Sequence, residues 1–209
     1  IFKLKIGLRS VKEDVAHVLA IKRALGDKAS VRVDVNQAWS ELQAMRGIAA
    51  LQDGGVDLVE QPVRFDNRDA MRRLARRFDV ALMADEALHG PVDAWNIARM
   101  EGADVFAVKI AQSGGLLPAQ QVAGVAQQAG IGLYGGTMLG GGIGTAATAQ
   151  LCATFADLSW DTELFGPLLL TEEVLREPLV YRDFMLEVPT GPGLGVTIDT
   201  DKLRTLQRK

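Results

Sequence analysis

Four charged residues end short apolar runs at nearly equal spacing. Asp34 closes VRVD, Glu60 closes DLVE, Asp85 follows VALMA and Lys109 follows VFAV. The intervals from each of these residues to the next are 26, 25 and 24 residues. One strand, one helix and two loops fill such an interval, so the pattern predicts charged groups at the carboxyl ends of successive parallel strands. This is the edge where α/β barrels place their active sites, and three carboxylates there are typical ligands of a hard cation.

The rest of the chain alternates between short β-branched runs and helix-length amphipathic segments. Near-continuous apolar strands separated by helices indicate a parallel sheet buried on both faces. We predict strands over 2–6, 31–35, 57–60, 80–84, 105–110, 131–134 and 158–160. The predicted helices cover 11–25, 40–51, 67–78, 91–100, 118–129 and 144–155.

Seven strands are one fewer than a closed barrel needs. We therefore predict an α/β fold with a TIM-like (β/α)7β barrel domain over 1–170, which contributes strands two to eight and lacks the first. The chain begins at Ile1, immediately before a strand, so we expect it to be truncated at its N-terminus. A less regular segment follows over 171–209, with a strand over 181–188, and we expect it to pack against another part of a longer protein.

Composition excludes several classes of function. The net charge of −3 and the lack of a basic cluster with stacking aromatics argue against nucleic-acid binding. No apolar run reaches the roughly 18 residues of a membrane-spanning helix, so we expect no membrane association. A single cysteine, Cys152, excludes an internal disulfide framework and fits a reducing cytoplasm. We predict that it is a core thiol.

Lys3 and Lys5 lie two apart on the first predicted strand, so both point to one face of the sheet. Inside a barrel the two ammonium groups would repel and lose hydration, which predicts pKa values below the usual value of about 10.4. A solvated edge strand is the simpler interpretation of this pair alone. If the strand is the second of eight, however, Lys109 follows the sixth, on the opposite side of the barrel.

This arrangement matches a specific chemical need. A carbon beside a carboxylate is a very weak acid, because its conjugate base carries two negative charges. A bound divalent cation neutralises that charge, and a nearby lysine moves the proton.

Several segments resemble the enolase superfamily, in its branch with a KxK motif and a second lysine. They are KLKIG, DVNQAW, VEQP, MADEA and VKIAQSGG, and the resemblance runs from residue 1 to about 195. Three later segments are similar to muconate and chloromuconate cycloisomerases: YGGTML, TELFGPLLLTEE and YRDFMLEVPTGPGLG. The resemblance implies a cytoplasmic homo-oligomeric enzyme of aromatic catabolism, with an N-terminal capping domain against which 171–209 would pack.

The resemblance also implies ligands for Mn²⁺ or Mg²⁺, namely Asp34, Glu60 and Asp85. Asn36 and Glu86 would support this metal site or the substrate.

Four further residues receive catalytic roles from the resemblance. Lys5 would be the acid/base, Lys3 would lower its pKa and contact a substrate carboxylate, and Lys109 would act electrostatically from the opposite face. Glu163 would project toward the substrate from the last strand. The substrate would be a small dicarboxylate, cis,cis-muconate or chloromuconate. Its cycloisomerisation to a muconolactone would pass through a metal-stabilised enolate that Lys5 protonates.

Alternatives remain open at this point. Asp161 and Glu163 form an acid-x-acid pattern similar to that of dipeptide epimerases of the same branch, and Gly140 stands where many relatives carry an acid. The glycines over 140–144 fit either a phosphate cradle or a loop that substrate approaches. A non-catalytic metal-binding domain is the alternative from another class. We also expect the 209-residue chain alone to be poorly active or poorly folded.

Overall fold

The parallel strands form at the predicted places, with small shifts of their ends. The structure is a computed structural model, and it describes residues 1–207. The six parallel strands are β1 (Phe2–Lys5), β2 (Val31–Asp34), β3 (Leu58–Glu60), β4 (Ala81–Ala84), β5 (Val105–Val108) and β6 (Gly132–Gly135). A short hairpin follows, made of β7 (Tyr181–Arg182) and β8 (Met185–Leu186).

Helices connect successive strands, as predicted. They are α1 (Val11–Leu25), α2 (Glu41–Asp53), α3 (Arg68–Ala75), α4 (Pro91–Arg99), α5 (Ile110–Ser113), α6 (Leu116–Ala129), α7 (Gly142–Cys152) and α8 (Thr200–Leu206). Helix α2 begins with a capping box, since the Ser40 side chain accepts from the Gln43 backbone amide and the Gln43 side chain accepts from the Ser40 backbone amide. Helix α5 was not predicted; it takes up Ile110, which the sequence assigned to a strand.

The six parallel strands lie in sequence order and curl into a half-barrel with helices around it. This confirms the predicted TIM-like architecture. In the strand register Lys5 pairs with Asp34, and Asp34 pairs with Glu60. The ends of neighbouring strands are therefore level, and their terminal side chains meet at one edge.

The seventh strand predicted over 158–160 is wrong. Among the described residues, the segment after α7 pairs with β6 through a single parallel bridge, between Thr162 and Gly135. Asp161 has a φ of 61°, a left-handed conformation that ends an extended segment before it can lengthen. Backbone bonds on either side, from Trp160 to Leu133 and from Glu163 to Gly135, still hold this segment beside β6.

The strand predicted over 181–188 is also wrong, because the chain reverses within it. Asp183 and Phe184 have φ values of 48° and 63°, which fits a tight two-residue hairpin turn. Residues after 171 pack back on the barrel: the Tyr181 hydroxyl donates to the Leu164 carbonyl at 2.6 Å. The division at residue 170 and the contact with a capping domain stay predictions.

Alternation along the strands separates two apolar layers. Outward residues such as Val31, Val33 and Leu82 pack under the helices. Inward residues form a smaller cluster inside the half-barrel: Leu58, Met83, Val105, Ala107 and Tyr134. The charged strand ends lie directly above this inner cluster. Over residues 1–207, no helix is long and apolar enough to cross a membrane.

Candidate active site

The three acids of the sequence pattern meet at the carboxyl edge of the sheet. Asp34 ends β2, Glu60 ends β3 and Asp85 directly follows β4. One carboxylate oxygen from each lies within 4.8 Å of the others. Their exposed fractions are 0%, 0% and 2%. The structure thus brings together a buried cluster of three carboxylates, called the carboxylate cluster below.

Within the carboxylate cluster, Glu60 lies beside two other buried carboxylates. Burial and the nearby charge of Asp34 raise the pKa of Glu60 well above its ordinary value; Lys3 opposes this shift and Asp85 adds to it. Among the described residues, Glu60 Oε1 is buried without a hydrogen-bond partner. Mg²⁺ and Mn²⁺ bind sets of carboxylate oxygens, and here one of those oxygens has no partner within residues 1–207. The residues present therefore fit a divalent cation.

A lysine lies at each end of the carboxylate cluster. Lys5, at the end of β1, bonds to Asp34, and its side chain is 60% exposed. Lys109, just after β5, donates to Asp85 at 2.6 Å, and its side chain is only 11% exposed. Because β1 and β5 lie on opposite sides of the strands that carry the acids, the two amines face the cluster from opposite sides.

Lys3 differs from the sequence expectation. Its ammonium donates to Glu60 Oε2 at 2.9 Å and forms an ion pair with Glu163. Burial alone would lower the pKa of Lys3, but attraction to Glu60 and Glu163 outweighs it, and the pKa is raised. The predicted lowering is wrong for Lys3, since the two carboxylates lie closer to it than the sequence pattern indicated. Lys3 is a persistent cation here.

Glu163 lies beside Lys3, on the segment that returns next to β6. Besides Lys3, it accepts a hydrogen bond from the Tyr134 hydroxyl. The pattern of charged residues in the sequence assigned no role to Tyr134. The available signal was strand alternation, which places Tyr134 on the inward face of β6, toward the charged strand ends.

Asn36 and Glu86 flank the carboxylate cluster. The Asn36 backbone amide donates to Asp34 Oδ1 at 2.8 Å, and the Asn36 side-chain amide donates to Glu86 at 3.1 Å. Asn36 has a φ of 44°, which asparagine tolerates better than most residues. The Asn36 backbone therefore helps to orient Asp34, and the side-chain bond to Glu86 links the loops after β2 and β4.

Gln61 is a further residue of the site that the sequence pattern did not indicate. Its side chain is fully buried, and its Oε1 accepts from the amides of Asp85 and Ala87 at 3.0 and 3.1 Å. These bonds fix the start of the loop that carries Asp85. A lone glutamine after a strand gives no sequence signal for this role, because its partners are about one strand-helix unit away.

Local contacts bear on two alternatives from the sequence. Asp161 lies 3.6 Å from Arg32 and its side chain is largely exposed, so the Arg32 guanidinium already pairs with this carboxylate. The Glu173 carboxylate accepts from the Gly142 amide at the start of α7. The chain's own carboxylate thus occupies the place where a phosphate cradle was considered.

The half-barrel and the site at its carboxyl edge define a class of protein. The chain belongs to the enolase C-terminal domain-like family, whose model matches residues 1–202.

Particular relatives narrow this class. The chain is 59% identical over 207 residues to muconate cycloisomerase 1 of Acinetobacter baylyi, a match that covers 99% of this chain and 56% of that protein. It is 46% identical to a chloromuconate cycloisomerase of Cupriavidus pinatubonensis, with the same two coverages. The crystal structure of a muconate cycloisomerase from Pseudomonas fluorescens superposes with a TM-score of 0.97 at 55% identity, covering 100% of this chain and 58% of that one. The chain spans a little over half the length of these relatives.

Proposed function

We propose that the chain catalyses the metal-dependent cycloisomerisation of cis,cis-muconate, or a chloromuconate, to a muconolactone. The observation that carries this proposal is the placement of Lys5 and Lys109 on opposite sides of the buried carboxylate cluster. Support for the substrate comes from relatives at 44–60% identity that are named muconate or chloromuconate cycloisomerases. We also propose a cytoplasmic homo-oligomer in aromatic catabolism, as the family resemblance implies.

Asp34, Glu60 and Asp85 would hold Mn²⁺ or Mg²⁺, with Asn36 and Glu86 fixing the orientation of Asp34. The unpartnered Glu60 Oε1 supports this assignment. When bound, the cation supplies positive charge beside the substrate carboxylate on which negative charge develops during the reaction.

The chain's own residues supply the proton and the positioning. One carboxylate oxygen of muconate forms a C–O bond to the distal double bond, and the displaced electron pair passes to the carbon beside the other carboxylate. Lys5 Nζ gives its proton to that carbon, and the neutral amine recovers a proton from water. The Lys5 side chain is 60% exposed, so its amine is open to a bound substrate. Lys3 would bind a substrate carboxylate, Glu163 would face the substrate, and Lys109 would stabilise charge from the opposite side.

Dipeptide epimerisation, the same-fold alternative, loses its main support. That alternative depends on Asp161 and Glu163 gripping a substrate ammonium together, and Asp161 instead pairs with Arg32. A non-catalytic metal-binding domain predicts that neither lysine matters for any turnover.

The deciding experiment follows the absorbance of cis,cis-muconate with Mn²⁺, using the chain together with any flanking sequence its gene encodes. We expect Lys5→Ala to reduce turnover about 10²- to 10⁴-fold, the range for loss of a general acid. Lys12→Ala is the matched control, because Lys12 is an exposed lysine on α1. Turnover that survives Lys5→Ala would contradict the proposed role, and α-hydrogen exchange into dipeptides in deuterated water without lactone formation would favour the epimerase.

A further inference from the structure

We propose that Tyr134 is a positioning residue that fixes the Lys3–Glu163 ion pair beside the carboxylate cluster. This inference rests on the proposed function, and it assigns to Tyr134 a role that the sequence motifs do not give.

Tyr134 contacts both members of the ion pair. Its hydroxyl donates to Glu163 Oε2, the same oxygen that faces Lys3 Nζ. Its ring lies beneath the ammonium, with Lys3 Nζ 5.2 Å from the ring centroid, within the range of a cation–π contact. One side chain therefore bonds to the carboxylate and stacks under the cation.

The surroundings of Tyr134 make simple packing an insufficient explanation. Its neighbours inside the half-barrel are apolar, among them Leu58, Met83 and Val105. Tyr134 is 4% exposed, so its hydroxyl loses hydration and would be costly without a partner. Phenylalanine would fill the same space in that layer. The hydrogen bond to Glu163 is therefore what a tyrosine provides here and a phenylalanine would not.

Tyr134 is a donor over the whole working range of pH. Burial, together with the charge of Glu163, raises the pKa of Tyr134 well above its ordinary value. The protonated hydroxyl can only donate to a carboxylate, and this fixes which Glu163 oxygen faces Lys3. Lys3 also donates to Glu60 at 2.9 Å. A chain of contacts thus runs from Tyr134 through Glu163 and Lys3 to the carboxylate cluster.

In the proposed reaction Lys3 binds a substrate carboxylate. The position of the Lys3 ammonium therefore determines how the substrate is oriented relative to Lys5. Loss of the Tyr134 hydroxyl leaves the ion pair charged but frees its orientation. We expect Tyr134→Phe to bind substrate with a KM changed less than about threefold and to lose kcat about 10- to 100-fold, the value of a hydrogen bond to a charged group.

The test is a double-mutant cycle in the chain with any flanking sequence its gene encodes, measuring kcat and KM with cis,cis-muconate and Mn²⁺. The variants are Tyr134→Phe, Glu163→Gln and the double variant. If Tyr134 acts through Glu163, adding Tyr134→Phe to Glu163→Gln changes kcat less than about threefold. Equal losses in both backgrounds would overturn the inference.

Tyr181→Phe is the matched control. Tyr181 is the only other tyrosine, and its hydroxyl donates to the Leu164 backbone rather than to a charged side chain. We expect it to lower stability and leave kcat unchanged. If Tyr134→Phe behaves in the same way, its role is structural and the inference fails.

The proposed function can fail separately. If the wild-type protein does not turn over any muconate, the crystal structure of Tyr134→Phe decides the inference. A Glu163 carboxylate that turns away from Lys3 supports it, and an unchanged ion pair overturns it.

Discussion

The three carboxylates of the cluster have unequal sets of partners. Asp34 accepts from Lys5 and from the Asn36 amide, and Asp85 accepts from Lys109 at 2.6 Å. Glu60 bonds only through one oxygen, to Lys3, among the described residues, while its other oxygen has no partner. Since an unpaired buried charge is costly, Glu60 is where a bound cation would relieve the most strain.

Glu60→Gln is therefore expected to have opposite effects with and without metal. In chelator the variant should be more stable than wild type by about 1 kcal/mol, because a neutral amide replaces the strained carboxylate. Mn²⁺ at about 100 times its Kd should stabilise wild type by about 2.7 kcal/mol and the variant much less. Thermal unfolding with chelator and with Mn²⁺ measures both effects.

Glu177→Gln serves as the control for Glu60→Gln, since Glu177 is exposed and outside the site. It should respond to Mn²⁺ as wild type does. A wild-type protein whose melting temperature ignores Mn²⁺ would contradict the metal assignment.

Cys152 was predicted to be a core thiol, and its 7% exposure confirms this. Burial raises the pKa of Cys152 to about 12, so the unreactive thiol form persists through mildly alkaline pH. We expect native protein to resist a thiol reagent under these conditions and unfolded protein to react fully. Comparing labelling rates with and without denaturant tests this. Rapid labelling of the native chain would mean that α7 opens locally.

The positions of site residues were predictable from the sequence where charged groups recur at the ends of successive strands. Asp34, Glu60, Asp85 and Lys109 follow that rule, because level strand ends bring regularly spaced residues together. The bond from Tyr134 to Glu163 spans 29 positions along the chain. This bond depends on how the irregular segment around Glu163 packs beside β6, and a local sequence pattern does not predict that packing.

At the scale of elements, the helices and strands were predictable wherever a periodic apolar pattern was uninterrupted. The strand over 158–160 failed because its geometry is decided by contacts distant in sequence. The Arg32 guanidinium donates to the Trp160 carbonyl at 2.6 Å and lies over the Trp160 ring. Arg32 thereby holds this segment across the half-barrel, although the left-handed Asp161 prevents regular pairing.

Two helix glycines should respond oppositely to alanine. A Cβ at Gly47 in α2 would come within 2.6 Å of two ring atoms of the buried Trp39, so Gly47→Ala should destabilise by about 1–3 kcal/mol through overpacking. A Cβ at Gly124 in α6 would meet nothing within 4 Å. Gly124→Ala should stabilise by about 1 kcal/mol, the helix-propensity difference.

Chemical denaturation of both alanine variants measures these changes, and each serves as the other's control. A gain in stability at Gly47 would show that Trp39 moves aside easily. A loss at Gly124 would show that the outer face of α6 is packed more tightly than its surroundings indicate.

At the scale of the whole molecule, the half-barrel leaves one strand edge and one apolar surface without partners in residues 1–207. The sheet order ends at β1, whose outer edge pairs with no strand within that range. Near the site, the loop after β6 and the segment over 165–170 touch, since Gly166 lies against Leu139 and Gly140. This pair of loops exposes several large apolar side chains: Met138, Leu139, Phe165, Leu168, Leu169 and Leu170.

Unpaired edges and contiguous apolar surfaces favour association with other chains. We therefore expect the 209 residues alone to bind a hydrophobic dye, to self-associate in sedimentation and to turn over muconate poorly.

A chimera tests this expectation. It joins the chain to the part of Acinetobacter baylyi muconate cycloisomerase 1 that lies outside the matched region. Because the two proteins are 59% identical over the matched region, the added part should pack against this chain as it does in its own protein. Dye binding should then fall and lactone formation should rise. A 209-residue chain that is already monomeric, free of dye and fully active would show that the half-barrel is sufficient by itself.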